Sequence, residues 1–156
     1  MSFSLFTSFN GRIGRKEFWI GFLTILILSF PGEVYFDPTI LSWEASPPTM
    51  PSLPETVWSM FWLFPATALA VKRFNDRDWP WWLGYALSAA WLASFVSPYF
   101  GFFVDPEAAT AGVVAFWLLF ASALFALLDN GVMPGTPGPN RFGPDPKGGP
   151  ESQIFS

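Results

Sequence analysis

Residues 12–32 read RIGRKEFWIGFLTILILSFPG, in which three basic side chains precede fifteen residues without charge. Three further stretches are free, or nearly free, of charge: residues 56–71, 79–104 and 108–128. When the four stretches cross a bilayer in alternating directions, all eight Lys and Arg residues fall on the same side. Because short cytoplasmic segments carry the excess of Lys and Arg, the sequence predicts a cytoplasmic basic face with both termini inside.

The composition is typical of a membrane protein of one domain. Only 13% of the 156 residues are charged, whereas a soluble domain has about 25% charged residues. The net charge of −4 hides a polarised distribution, because the predicted outer loops carry six acids and no base. The chain has no Cys and no His. We therefore expect no disulfide, no cofactor, no Cys- or His-ligated metal and no imidazole chemistry.

We predict an all-α fold, an integral membrane bundle of four transmembrane helices within residues 1–130, with both termini cytoplasmic. The predicted spans cover about residues 16–36, 53–73, 79–97 and 106–128. Residues 131–156 are expected to form a Gly- and Pro-rich cytoplasmic tail. The first span should continue past Pro31 with a kink, since the residues before it reach only about 24 Å across a hydrocarbon core of about 30 Å.

Capping signals predict where the helices begin. Ser52 and Glu55 fit a capping box that opens the second span. Asp78 is the candidate N-cap of the third span, and Asp105, followed by a proline, is that of the fourth. These signals predict three separate helices after the first outer loop.

Other residues predict how the helices lie and pack. Pro65, inside the second span, predicts a kink. Small residues at a spacing of four, among them Gly84 and Ser88, predict that the second and third spans pack closely together. Phe3, Phe6 and Phe9 form an apolar stripe that we expect to lie along the inner membrane interface.

Three polar segments meet at the predicted inner face: residues 9–19, 72–82 and 138–146. They supply the candidate site, named here the polar cluster: Arg12, Arg15, Arg73, Asp76, Arg77, Asn140, Arg141 and Asp145. The expected interfacial aromatic residues beside the polar cluster are Trp19, Trp79, Trp81 and Trp82.

The residue types of the polar cluster leave two interpretations open. In the structural one, the tail folds under the bundle, Asp145 or Asp76 pairs with an arginine, and Asn140 caps helix-end carbonyls. In the functional one, the arginines hold the phosphate of cardiolipin or another anionic lipid with bidentate donors. Nucleic acid is not an expected partner, because six acids offset the eight bases on this face.

The same three segments resemble the DUF805 family, a group of small bacterial inner-membrane proteins described as a domain of unknown function. The family's F-x-G-R-x-x-R-x-E-F-W pattern matches residues 9–19. Its R-R-L-H-D-x-G-x-S-G-W-W-like loop matches at Arg73, Asp76 and residues 81–82, and its G-P-N-x-F-G-P-D-P pattern matches residues 138–146. Asn75 stands where the family usually has His. The resemblance implies a bacterial inner-membrane location and implies no activity.

The first hypothesis for function is a non-catalytic structural or accessory subunit that packs against a larger membrane complex or against itself. The middle third of every predicted span lacks an ionisable residue, which disfavours a pump or a proton-coupled transporter. Two alternatives stay open. One is a channel or transporter for a small solute, lined by residues such as Ser59, Thr67, Ser88 and Ser122; the other is a lipid-active enzyme that uses Asp76 or Asp78.

Overall fold

The computed structural model of the chain describes residues 3–41, 50–100 and 109–148. Within them the secondary structure is helical, with no β-strand. The five α-helices are α1 (Ser4–Thr7), α2 (Arg15–Phe36), α3 (Leu53–Asp76), α4 (Leu83–Val96) and α5 (Ala109–Gly131). Two short 3-10 turns, Pro38–Leu41 and Ser97–Phe100, follow α2 and α4. The predicted all-α fold is confirmed for the described part of the chain.

The helix α3 is the central element, since the other four α-helices all pack against it. It begins at the predicted capping box: the Ser52 hydroxyl accepts the Glu55 N–H at 3.3 Å, and the Glu55 carboxylate accepts the Ser52 N–H at 3.1 Å. Its last third, residues 68–76 apart from Ala70, is buried. The best-packed region of the protein therefore lies at the end of α3 that carries the charged side chains.

Glycines allow the close approach of the neighbours of α3. A Cβ on Gly21 of α2 would lie 2.7 Å from a methyl carbon of Leu69, and one on Gly84 of α4 would lie 2.7 Å from a methyl carbon of Val71. Thr67 also donates to the Ser88 hydroxyl at 2.8 Å. The predicted packing of the second and third spans is confirmed as the contact between α3 and α4.

The helix α2 continues through Pro31 to Phe36, as predicted. The start predicted for the third span is wrong, because α4 begins at Leu83 with Trp82, and not Asp78, at the N-cap position. Asp78 has φ 58°, in the left-handed region, whereas a residue that caps a helix with its side chain typically has an extended backbone. The predicted cap at Asp105 lies outside the described residues.

Within the described residues, two helices have the length and composition of membrane spans: α2, and residues 111–131 of α5. Their most apolar windows are only 17% and 6% buried, respectively, within the protein. Ile27 of α2 and Leu118 of α5 are 68% and 67% exposed. These apolar faces therefore point outward, unlike the buried face of a core helix in a soluble domain.

Candidate functional site

The polar cluster is assembled at one end of the bundle, where α2 begins and where α3 and α5 end. Asp76, the last residue of α3, lies at its centre. One carboxylate oxygen of Asp76 accepts a hydrogen bond from Arg12 Nε at 3.0 Å and lies 2.8 Å from Arg12 Nη2 in an ion pair. The other oxygen pairs with Arg73 Nη1. The three side chains are at most 5% exposed, so two guanidinium groups share one carboxylate out of contact with solvent.

Arginines and a tryptophan bind the backbone carbonyls where the chain leaves α5. The last carbonyls of an α-helix have no partner within the helix, and Pro134 has no N–H to offer the Asn130 carbonyl. Arg73 instead donates to the carbonyls of Asn130 and Met133 at 2.6 and 2.5 Å. The carbonyls of residues 131, 132 and 134 accept Trp19 Nε1 at 3.0 Å, an Arg15 Nη at 3.1 Å and an Arg77 Nη at 2.6 Å, respectively.

Arg12 extends this pattern into the tail. Its two terminal nitrogens donate to the carbonyls of Thr136 and Gly138, each at 2.7 Å. Gly138 has φ 74°, a conformation that glycine adopts without steric cost. A Cβ on Gly135 would collide with the Asp76 carboxylate, so the tail passes directly over this group. Arg12 therefore connects the start of the chain both to Asp76 at the end of α3 and to the tail.

A second ion pair lies beside the first. Arg77 and Asp129 are 3.1 Å apart, with 24% and 7% of their side chains exposed. Trp79 Nε1 donates to the other Asp129 oxygen at 3.1 Å. Arg141 pairs with Asp78 at 3.0 Å, and both of these side chains are about half exposed. The Arg77–Asp129 pair is thus mostly buried, whereas the Arg141–Asp78 pair is in contact with solvent.

The tail carries its own turn, which the predicted residues Asn140 and Asp145 stabilise. Asn140 donates to the Asn75 carbonyl near the end of α3 at 2.9 Å and exchanges two backbone hydrogen bonds with Gly143. The carboxylate of Asp145 accepts the N–H groups of Lys147 and Gly138. These N–H donors favour the charged form and lower the pKa of Asp145 below its ordinary value.

The structure brings all eight predicted members of the polar cluster into this one region. Trp19 and Trp79 join them by donating to the Gly131 carbonyl and to Asp129. Trp81 and Trp82 do not join them, being 66% and 53% exposed. The guanidinium groups of Arg12 and Arg73 already donate to the protein at all three nitrogens. A lipid phosphate at either arginine would have to displace a carboxylate or carbonyl oxygen.

Several contributing residues do not belong to the predicted polar cluster. Asp129 accepts hydrogen bonds from the side chains of Arg77 and Trp79. The Thr136 hydroxyl donates to the Asp76 carbonyl and so links the tail to the end of α3. Lys72 donates to the carbonyls of Ser4 and Leu5 at 2.8 and 2.6 Å. Asn75, at the family's His position, donates its amide N–H to the Gly11 carbonyl at 3.1 Å. The sequence feature that points to Asp129 is its position at the end of an apolar span, where an acidic side chain needs a charged or hydrogen-bonding partner.

The described residues contain no group of three or more His, Cys, Asp or Glu side chains that is arranged to hold a metal ion.

A sequence model of the family described as "Protein of unknown function (DUF805)" matches residues 6–144. "Inner membrane protein YhaH" of Escherichia coli (strain K12) is 27% identical over 142 residues, which cover 91% of this chain and 89% of that protein. The protein of the same name from Escherichia coli O157:H7 matches with the same identity and coverage. No solved structure matches the chain.

Proposed function

Because the chain belongs to the DUF805 family, we propose that it is a non-catalytic integral protein of the inner membrane. Its role in this proposal is that of a structural or accessory subunit, which packs against a larger membrane complex or against itself. The printed name of the YhaH relatives, inner membrane protein, supports the location. The family description supports no activity.

The observation that carries the proposal is the contrast between two surfaces of the protein. The outward faces of α2 and α5 are apolar and exposed along their length, which suits lipid or another membrane protein. At one end, Arg12, Arg73 and Arg77 pair with acidic side chains of the protein, and Arg73 also donates to its backbone. Such a chain offers a neighbouring protein a large apolar surface and an internally paired polar end. The proposed contacts for acidic lipid are Arg15 and Lys16, which are exposed at the start of α2.

The proposal includes the four predicted spans, with residues 131–156 as the cytoplasmic tail. The helix α4 and the 3-10 turn after it extend about 29 Å together, close to the thickness of a hydrocarbon core of about 30 Å. The Tyr99 hydroxyl in that turn donates to the Pro51 carbonyl at 3.0 Å, beside the start of α3. This contact places the end of α4 near the start of α3, and so supports an α4 that runs from the end of the bundle with the polar cluster to the opposite end.

The topology predicts which positions a reagent outside the membrane can reach. The chain has no Cys, so Ile40→Cys and Lys147→Cys each introduce a single thiol at an exposed site. In intact spheroplasts, a membrane-impermeant maleimide should label Ile40→Cys and leave Lys147→Cys unlabelled until the membrane is opened. Labelling of Lys147→Cys in intact spheroplasts would contradict the inside location of the tail.

The accessory role predicts that the protein does not occur alone. After gentle extraction with native lipid, native mass spectrometry should find the 17.4 kDa chain in a particle that contains further polypeptide, either copies of itself or another protein. The exposed apolar faces of α2 and α5 are the physical reason, since apolar helix surfaces can pack against the helices of another membrane protein as well as against lipid. Particles with a single polypeptide under several mild conditions would contradict the accessory role and leave the membrane location intact.

A further inference from the structure

Two basic side chains at the start of α2 keep donors that the protein itself does not use. Arg15 and Lys16 are both exposed. Arg15 donates through Nη1 to the Val132 carbonyl, and its Nε and Nη2 have no acceptor among the described residues. The Lys16 ammonium group has no acceptor in this part of the chain either. Unlike Arg12, these two side chains can therefore bind an anion without displacing an oxygen of the protein.

Arg15 lies on the same face of α2 as the wall of a cavity. Phe22 and Leu26, seven and eleven residues after Arg15, return to the same side of the helix. Both line a half-open cavity of about 320 Å³ between α2, α3, α4 and α5, whose described wall carries no charged side chain. Leu26 is 50% exposed, whereas the other lining residues are buried or partly buried. The cavity therefore opens toward the membrane beside Leu26.

The depth of the cavity below the two cations fits the dimensions of a phospholipid. Phe22 and Ser29, which line the cavity, lie about 10 and 21 Å beyond Arg15 along the axis of α2. Each interfacial layer of a bilayer is about 5–8 Å thick. A phosphate group beside Arg15 therefore places the acyl chains of its lipid at the level of the cavity. Trp19 lies between the two levels, as is typical of a tryptophan at a membrane interface.

The acids near the two cations do not neutralise the site. Glu17 is the acidic residue in the first turn of α2, but side chains two positions apart on a helix do not face each other. Its carboxylate is instead folded over Gly14, 2.6 Å from where a Cβ of that residue would lie. Asp129, at the end of α5, is already paired with Arg77. The site therefore favours an occupant with an anionic group beside Arg15 and an apolar body below it.

We propose that the seam between α2 and α5 binds an anionic glycerophospholipid, with its phosphate on Arg15 and Lys16 and one acyl chain in the cavity. The free Nε and Nη2 of Arg15 are adjacent donors of one planar group, which bind two phosphate oxygens in parallel, and Lys16 adds a point charge. The proposal rests on the inner-membrane location and the acidic-lipid contacts proposed above, and it adds the place of the acyl chain. It holds whether or not the protein has a polypeptide partner.

Native mass spectrometry of the full-length protein in mild detergent tests the headgroup by titration with lipids of identical acyl chains. Phosphatidylglycerol should bind at least about fivefold more tightly than phosphatidylcholine, because each cation at a membrane surface favours an anionic lipid by about this factor. Excess soluble glycerol phosphate should not displace it, since this anion has no acyl chain. Equal affinities, or displacement by glycerol phosphate, would overturn the proposal. The same spectra count the polypeptides, so the accessory role is tested separately.

A charge variant tests the position of the phosphate. Arg15→Gln should lower the affinity for phosphatidylglycerol about fivefold. The matched control is Lys147→Gln, which removes the same charge from an exposed site in the tail and should leave the affinity unchanged. Unchanged binding in Arg15→Gln, or an equal loss in both variants, would show that the phosphate is not held at the start of α2.

A photoreactive lipid tests the position of the acyl chain. Phosphatidylglycerol with a diazirine in one acyl chain should label residues that line the cavity, as mapped by peptide analysis after irradiation. Ala126→Phe fills the cavity and should abolish this label, whereas the control Ala121→Phe, at an exposed position of the same helix, should keep it. Labelling spread over the lipid-facing surface, or retained in Ala126→Phe, would overturn the proposal. If Ala126→Phe fails to fold, the labelled positions in the unchanged protein decide.

Discussion

Replacement of Asp76 by Asn is expected to lower the free energy of unfolding by about 3–5 kcal/mol. The carboxylate is 5% exposed and is shared by Arg12 and Arg73, whose side chains are 1% and 0% exposed. Asn has nearly the same shape but no charge, so two buried guanidinium groups would face each other without a counter-ion. Denaturant titration of the protein in detergent micelles measures the loss.

The tail provides a second measurement for the same variant. Arg12 holds the carbonyls of Thr136 and Gly138 while it pairs with Asp76, so loss of the carboxylate should loosen the tail as well. Limited proteolysis should therefore cut the Asp76→Asn protein within residues 132–148 faster than the unchanged protein.

A matched control separates this effect from the loss of any aspartate. Asp78→Asn removes the charge from a pair whose side chains are 55% and 46% exposed, and exposed pairs contribute less than about 1 kcal/mol. Asn also tolerates the left-handed backbone of this position, φ 58°, as well as Asp does. Equal losses of stability in the two variants would show that Asp76 is not the electrostatic centre of the polar cluster.

The sequence predicted the all-α fold and the meeting of three polar segments, but it left the role of the arginines open. The capping box at Ser52 follows from a local rule that acts over three residues, and the continuation of α2 past Pro31 follows from the length needed to cross a hydrocarbon core. Both are confirmed. The choice of partner for each arginine is a long-range matter: Arg12 and Gly138 are 126 residues apart in the chain. Charge patterning alone does not distinguish a lipid phosphate from a backbone carbonyl as the acceptor.

One feature of the tail sequence does favour the carbonyl interpretation. Prolines occupy positions 134, 137, 139, 144 and 146, and each removes a backbone N–H while keeping a carbonyl. A segment of this kind has more acceptors than donors, so a compact arrangement needs donors from elsewhere in the chain. Arginine supplies several donors and accepts none, which accounts for the arginines of the first two polar segments.

The late start of α4 shows where a local rule failed. Asp78 followed by Trp79-Pro80 looks like the opening of a helix, because an acid before an early proline is a frequent N-terminal pattern. In the structure, the Asp78 backbone turns into the left-handed region and its carboxylate pairs with Arg141 from the tail. A tertiary contact over more than sixty residues therefore overrides the local capping signal.

Replacement of Arg73 by Lys is expected to destabilise the protein by at least about 2 kcal/mol, although the charge is kept. Arg73 reaches the carbonyls of Asn130 and Met133 and the carboxylate of Asp76 with three different nitrogens of one planar group. A lysine has a single nitrogen and does not span these acceptors. At least one buried carbonyl at the end of α5 would lose its donor, at a cost of about 1–3 kcal/mol for each group left unpaired.

The control for this prediction is Arg141→Lys, measured by the same titration. Arg141 is 55% exposed and donates to the carbonyls of Asp78 and Trp79, which water can serve equally well. Its replacement should change the free energy of unfolding by less than about 1 kcal/mol. If Arg73→Lys were as mild as Arg141→Lys, positive charge alone would stabilise this end of the bundle, and the directed capping of α5 by a guanidinium group would be excluded.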